Sequence, residues 1–162
     1  MEKYDLNPIT TSADQGRTLS IAGGTYRILI SGEQTNGTFA VIEMSVPPGA
    51  GPVPHSHPDF EESFYVLEGE VTFKSEAGEY RAGKGAFVSI PNGGVVHHFK
   101  NKSDQPAKLL CTVIPAGLDA FFVEAVEFME VIHKQPPHSD AEVKEEMKRI
   151  SEKYGQQLFS PD

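Results

Sequence analysis

Residues 49–69 read GAGPVPHSHPDFEESFYVLEG, and residues 85–101 read GAFVSIPNGGVVHHFKN. Each stretch opens on glycine, contains proline and further glycine, and carries a pair of closely spaced histidines. Together they hold four of the six histidines in the 162-residue chain. Histidine pairs beside short apolar runs, bounded by turn residues, indicate a metal site built on β-strands.

The first stretch places two imidazoles on one side of the chain. Residues two apart in an extended segment point to the same face, so His55 and His57 project together. Both can then reach a single ion at about 2.1 Å from each nitrogen. The carboxylates that follow, Glu61 and Glu62, must face opposite ways, and spacing alone does not choose between them.

A carboxylate that points into the core needs a partner for its charge. If Glu62 points inward, Phe64 does too, and the carboxylate then lies beside an apolar lining. Such a group costs several kcal/mol unless it is paired or bound to metal. In the second stretch the same alternation groups His97 with Phe99, whereas His98 shares the face of Lys100 that is expected to meet solvent.

The two stretches resemble the paired motifs of the cupin superfamily. The first family motif is Gly, five residues, His-x-His, three or four residues, Glu, six residues, Gly. The second is Gly, five residues, Pro-x-Gly, two residues, His, three residues, Asn. The matching positions are Gly49, His55, His57, Glu62 and Gly69 in the first motif and Gly85, Pro91, Gly93, His97 and Asn101 in the second.

The second motif departs from the family pattern at one point. Three residues separate Gly93 from His97, where the motif has two, and Gly94 stands at the motif distance. We interpret this as a one-residue insertion in the turn. The resemblance therefore favours Glu62 over Glu61 and His97 over His98.

The resemblance implies an all-β double-stranded jelly-roll barrel, and these barrels are often dimeric. Residues 1–118 are expected to form the barrel and residues 119–162 a helical C-terminal extension, packed on the barrel or on a partner subunit. The second segment is similar to the tail of the small quercetin-dioxygenase-like cupins. A homodimer is accordingly expected.

Short runs rich in β-branched and aromatic residues agree with this fold. They are bounded by Gly, Pro, Asn or Asp, and no segment of helical length lies between them. This pattern is typical of antiparallel sandwiches and barrels. Strands are predicted over residues 25–30, 38–46, 63–67, 70–74, 86–90, 97–100 and 107–114.

The C-terminal segment has the periodicity of two helices. Asp119 is predicted to cap the first helix, which ends before Pro136-Pro137. Ser139 and Glu142 form a predicted capping box for the second helix, and Gly155 is its expected stop. The apolar faces consist of Phe121, Phe122, Ala125, Val126, Phe128, Met129 and Ile132 in the first helix and Val143, Met147, Ile150 and Tyr154 in the second.

Composition excludes several classes of function. A net charge of −9 disfavours a nucleic-acid partner, because phosphate binding needs clustered Lys and Arg. No apolar run could span a bilayer, and residues 1–12 lack the features of a secretory signal, so a cytoplasmic location is expected. The lone Cys111 excludes a Cys-cluster metal site and is expected to be a buried, inert thiol. His133 and His138 are expected on the surface.

The resemblance implies one divalent transition metal, Fe, Mn, Ni, Co, Cu or Zn, held by His55, His57, Glu62 and His97. Glu62 is also a candidate base. The expected activity is a metal-dependent, dioxygenase-type oxidation of a small aromatic or enolic molecule. An oxygen-independent isomerase, cyclase or decarboxylase and a non-catalytic binding protein remain alternatives. Candidate pocket residues around the metal are Phe64, Phe99 and Asn101, with Tyr65 a further contributor.

Overall fold

The computed structural model describes residues 7–135 and 137–161. The described residues form eleven strands and two helices. In chain order these are β1 (Arg17–Ile21), β2 (Gly24–Ile30), β3 (Ala40–Val46), β4 (His55–Ser56), β5 (Glu61–Glu68), β6 (Glu70–Ser75), β7 (Gly78–Gly83), β8 (Phe87–Ile90), β9 (His97–Lys100), β10 (Ala107–Ile114), α1 (Leu118–Lys134), α2 (Asp140–Lys153) and β11 (Gln157–Leu158).

The strands form two antiparallel sheets that enclose the core. One sheet has the order β1-β2-β3-β10-β5-β8 and the other β11-β4-β9-β6-β7. Inward-facing side chains alternate along β3 and β10, as in a sheet with one face on the core. The arrangement is a jelly roll with a C-terminal helical extension, and it confirms the predicted fold class.

Each predicted strand is present, and four strands were missed. The missed β7 is an edge strand, paired only with β6 among the described strands and mostly exposed, so it has no apolar alternation to detect. The missed β4 and β11 are two residues long, too short for any periodicity. The remaining one, β1, pairs with β2 across a turn at Ala22 and Gly23.

The first helix begins differently from the prediction. Its N-cap is Gly117, not Asp119, and Asp119 lies in the first turn. The Asp119 carboxylate accepts hydrogen bonds from the amides of Gly32 (2.8 Å) and Gly117 (3.1 Å). Asp119 therefore joins the helix to the β2–β3 loop instead of capping it.

The second helix matches the prediction more closely. Ser139 and Glu142 form the capping box, and Gly155 follows the helix with a φ of 77°. The first helix ends at Lys134, and Pro136, the first residue of the predicted stop, lies outside the described residues. The expectation about a secretory signal concerns residues 1–12, of which 1–6 lie outside them as well.

The C-terminal extension packs on the barrel. Leu118, Phe121 and Phe122 of α1 and Ile150 of α2 are buried in the same core cluster as the strands. The rings of Phe122 and Tyr26 meet edge to face at 5.1 Å between centroids. Beyond α2 the chain pairs with the barrel again through β11 and β4.

Other expectations concern single residues and the whole chain. His133 and His138 are exposed, as predicted. Cys111 is buried and free. Among the described residues no helix is long and apolar enough to cross a membrane.

Asn101, predicted to lie near the metal or the pocket, organises the loop between β9 and β10. Its side-chain amide donates to the carbonyl oxygens of Val46 (2.9 Å) and Gln105 (2.7 Å). Its side-chain oxygen accepts from the amide (2.9 Å) and hydroxyl (2.7 Å) of Ser103. Because every hydrogen-bonding site of this fully buried amide faces backbone or Ser103, Asn101 holds the β9–β10 connection.

Replacing Asn101 with alanine is therefore expected to lower stability without changing metal binding. The substitution strands buried carbonyl groups, which should cost about 2–4 kcal/mol of unfolding free energy. Urea unfolding measures this, with Asn92→Ala at an exposed turn position as the matched control, expected to change it by less than about 0.5 kcal/mol. A stable Asn101→Ala protein with reduced metal content would support the original pocket role instead.

Candidate metal centre

Four side chains from both sheets converge between the layers. His55 and His97 are direct partners across the β4–β9 pair, and His57 follows β4 by one residue. Glu62 comes from β5 in the opposite sheet. All four residues are at most 8% exposed. The site therefore spans the core between the sheets.

The ligand-type atoms of this group lie close together. Glu62 Oε2 is 3.0 Å from His57 Nε2 and 3.6 Å from His97 Nε2, and the two Nε2 atoms are 3.2 Å apart. One ligand atom from each of the four residues lies within 4.8 Å of the others. Neighbouring ligands on one ion, each about 2.1 Å away, are separated by roughly 3.0–3.4 Å. The spacing is compatible with a metal ion held at the centre.

Backbone carbonyls fix the orientation of each imidazole. The Nδ1 atoms of His55, His57 and His97 lie 2.8, 3.1 and 2.9 Å from the carbonyl oxygens of residues 53, 60 and 95. Because a carbonyl can only accept, each Nδ1 carries the hydrogen. A neutral imidazole then has its lone pair on Nε2, the form that binds metal. Two such lone pairs 3.2 Å apart repel each other unless a cation lies between them.

The alternation in β5 separates the two carboxylates. Glu61 is exposed, whereas Glu62 is 3% exposed and shares its inward face with Phe64 and Val66. On β9, His97 is 2% exposed and His98 is only half-buried. The extra residue of the second motif lies in the loop before β9, where Gly93 and Gly94 both have positive φ. The turn therefore absorbs the insertion and leaves His97 in register.

The pKa values of the site reflect burial and mutual contact. Burial alone would raise the pKa of Glu62, but hydrogen bonds from His57 and His97 outweigh it and lower that pKa. Burial lowers the pKa of His55 to about 4. For His57 burial also acts to lower the pKa, yet the hydrogen bond to Glu62 prevails and raises it. A proton on His57 and a metal ion are thus alternative ways to balance the Glu62 charge.

Cys111 contacts the site, which sequence reasoning missed. Its thiol donates to Glu62 Oε1 at 3.3 Å, the carboxylate oxygen opposite the one facing His57. Burial, with the adjacent Glu62 charge, raises the pKa of the thiol well above its usual value. Cys111 therefore remains a protonated donor that orients Glu62. The contact could have been expected from strand pairing, because Cys111 lies on β10 and this strand pairs with β5, which carries Glu62.

A cavity of about 270 Å³ opens beside the cluster. His55 and Glu62 line it, and so do the predicted pocket residues Phe64 and Phe99, whereas Tyr65 is 43% exposed on the outer face of the sheet. Much of the remaining wall comes from the C-terminal extension, which was expected to pack on the barrel or on a partner subunit. No lysine or arginine of the described chain lines the cavity. The other lining residues are Ile21, Ala22, Tyr26, Met44, Gly51, Pro52, Val53, Leu118, Phe121, Phe122, Met147, Gln156 and Leu158.

Comparison with known proteins agrees with this geometry. The family model described as "Cupin domain" matches residues 42–113. The quercetin 2,3-dioxygenase of Bacillus subtilis (strain 168) is 28% identical over 115 residues, which are 71% of this chain and 34% of that protein. The chain thus spans about a third of the length of this curated relative.

Solved structures show the same fold. A protein from Thermotoga maritima, described as a predicted oxalate decarboxylase, aligns with a TM-score of 0.59 and 21% identity, over 67% of this chain and 99% of its own. A sugar phosphate isomerase of the cupin superfamily from Silicibacter pomeroyi aligns with a TM-score of 0.52 and 26% identity, over 67% of this chain and 70% of its own. Residues 42–113 match the cupin domain model, and the jelly roll, the paired motifs and the His₃Glu cluster support a small protein of the cupin superfamily.

Proposed function

We propose that the protein is a metal-dependent oxidoreductase of the dioxygenase type that acts on a small aromatic or enolic molecule. His55, His57, Glu62 and His97 hold one divalent transition ion in this proposal. The observation that carries it is a His₃Glu cluster whose His55 and Glu62 reach the wall of a largely apolar cavity without lysine or arginine. The relation to a quercetin 2,3-dioxygenase supports the oxygen chemistry.

The donor set fits a first-row transition metal. Three neutral imidazoles and one carboxylate suit Fe, Mn, Ni, Co, Cu or Zn better than Mg or Ca, which prefer all-oxygen sites. When bound, such an ion polarises a substrate oxygen and, if redox-active, exchanges electrons with dioxygen. The chain supplies the rest: three fixed imidazoles, a buried carboxylate and a cavity with apolar walls that exclude water.

The cavity favours an uncharged ligand. The divalent ion with Glu62 carries one net positive charge, so a doubly charged phosphate or dicarboxylate would need a further cationic partner once it is removed from water, and no lysine or arginine lines the wall. Aromatic side chains dominate the lining, with Phe64, Phe99, Phe121 and Phe122 on several sides. Flat, weakly polar molecules pack well against such surfaces. Aromatic and enolic substrates therefore suit this site better than sugar phosphates or oxalate.

Glu62 is the proposed base. It lines the cavity, and the Cys111 thiol orients its Oε1, whereas Oε2 faces the imidazoles of the cluster. A carboxylate is a weak base, so it accepts a proton readily only from an acidic hydroxyl. Phenols with electron-withdrawing substituents and enols of 1,3-dicarbonyl compounds meet this requirement better than alcohols.

Removing any proposed ligand is expected to reduce metal binding. Elemental analysis of the purified protein should find about one ion per chain at most. Alanine at His55, His57, Glu62 or His97 should weaken metal affinity at least about tenfold, because each substitution removes a direct ligand. Elemental analysis after dialysis against each metal measures this loss.

Two neighbouring residues serve as matched controls for these substitutions. Glu61→Ala and His98→Ala remove the same chemical groups one position away, on the opposite face of β5 and β9. Both variants should bind metal as the wild type does. Loss of metal from His98→Ala, with retention by His97→Ala, would show that the register of the second motif is wrong.

Oxygen consumption tests the reaction. The iron- or manganese-loaded protein should consume dioxygen with dihydroxy-aromatic or enolic compounds, and Glu62→Gln should lower the rate at least about a hundredfold. An oxygen electrode records uptake across a panel of catechols, 1,3-diketones and flavonols, with Glu61→Gln as the control variant. Turnover under strict anaerobiosis would favour an isomerase, cyclase or decarboxylase. No uptake with any metal and compound would contradict the proposal.

A further inference from the structure

Gln156 brings an amide from the C-terminal extension to the wall of the cavity. It lies between α2 and β11, and its backbone amide donates to the Ser151 carbonyl at 2.9 Å. The residue is only 3% exposed and lines the same cavity as His55 and Glu62. Because β11 pairs with the strand that carries His55, the sheet holds Gln156 beside the cluster.

The Gln156 amide nitrogen has no hydrogen-bond partner within the described chain. It is the one buried side-chain nitrogen or oxygen of the described residues left without one. Folded proteins rarely leave such a donor unpaired, because it loses its hydrogen bonds to water on burial and forms none within the protein. The last side-chain torsion of glutamine is broad, so a rotation can exchange the two ends of the amide. A rotation that turns this nitrogen toward the cavity would let it donate to a bound molecule.

The size of the cavity limits that molecule. An engineered apolar cavity of about 150 Å³ accommodates one benzene. The present cavity of about 270 Å³ accordingly has room for a single ring with small substituents. Its polar groups are neutral or acidic: the Tyr26 hydroxyl, the Gln156 amide, His55 and Glu62. A neutral ring that bears an acceptor oxygen packs against the apolar walls and can accept a hydrogen bond from the Gln156 amide.

We propose that Gln156 is a specificity-determining residue that donates a hydrogen bond to the carbonyl or enol oxygen of a single-ring, uncharged ligand in this cavity. The identification of that ligand as the substrate rests on the proposed function. The hydrogen bond itself does not, because it requires only the cavity and the amide. The C-terminal extension then has a role in ligand selection as well as in packing.

Acetophenone and α-methylstyrene are suitable probes, because they share one shape and differ only in an oxygen or a methylene at the acceptor position. Protein-observed NMR titrations measure both affinities on chelator-treated and on zinc-loaded protein. Wild-type protein should prefer the ketone, and Gln156→Leu should weaken ketone binding about five- to tenfold while leaving the alkene unchanged. Gln157→Leu, an exposed amide one residue away, is the matched control and should change neither affinity.

Thermal unfolding separates ligand recognition from a structural role. An unpaired buried donor destabilises the ligand-free protein, so Gln156→Leu should raise its melting temperature by about 2–4 °C. A fall in melting temperature would instead indicate a structural amide and overturn the proposal. Equal loss of ketone and alkene binding in Gln156→Leu, absence of binding of both probes to the wild type, or tighter binding of three-ring flavone would overturn it too.

The two proposals fail separately. If the metal-loaded protein consumes no oxygen but keeps a Gln156-dependent preference for the ketone, the oxidation proposal fails and the ligand assignment stands. If oxygen is consumed and Gln156→Leu leaves the ketone preference intact, the ligand assignment fails alone.

Discussion

The buried charge of Glu62 is the constraint on which the rest of the site depends. An ionised carboxylate between two apolar sheets must be balanced locally, and His57 and His97 are the groups that approach it. Their Nδ1 atoms are already committed to backbone carbonyls, so both rings turn Nε2 toward the same point. The fold thereby concentrates lone pairs and negative charge in one place. Such a centre calls for a cation, and the imidazoles are oriented for a metal ion.

Strand alternation explains why this much of the site could be predicted. The inward row Glu62–Phe64–Val66 follows from period-two geometry once β5 is recognised. The choice of Glu62 over Glu61 and of His97 over His98 needed the motif resemblance, because alternation permits either register. The structure places Glu62 and His97 on the inward face and Glu61 on the outside. The alternation thus predicted which residues share a face of the strand, and the motif resemblance predicted which of the two faces points inward.

The errors arose where contacts between distant segments decide the outcome. Asn101 has the motif spacing, but its hydrogen bonds to Val46 and Gln105 depend on how the β9–β10 connection folds back on β3. Asp119 has the chemistry of a cap, but the amide of Gly32, 87 residues away, receives its carboxylate. Gln156 carried no signal at all, since a single glutamine after a helix is usually a surface residue. An apolar helix face indicates burial without saying which surface it covers.

The C-terminal extension connects the metal centre with ligand choice. The barrel positions the histidine cluster, and much of the cavity wall beside it comes from the extension. Here Phe121, Phe122, Met147 and Gln156 line the cavity from outside the barrel, and the cavity is mostly apolar and without lysine or arginine. The barrel therefore supplies the chemistry, and the extension limits the size and polarity of what can reach it.

Anomalous X-ray diffraction from crystals of metal-loaded protein tests the central claim most directly. Data collected at the absorption edge of the loaded metal should show one strong peak per chain, about 2.1 Å from Nε2 of His55, His57 and His97 and from a carboxylate oxygen of Glu62. A peak elsewhere, or coordination through Nδ1 of any of the three histidines, would contradict the account. So would a loaded crystal with no peak between the two sheets.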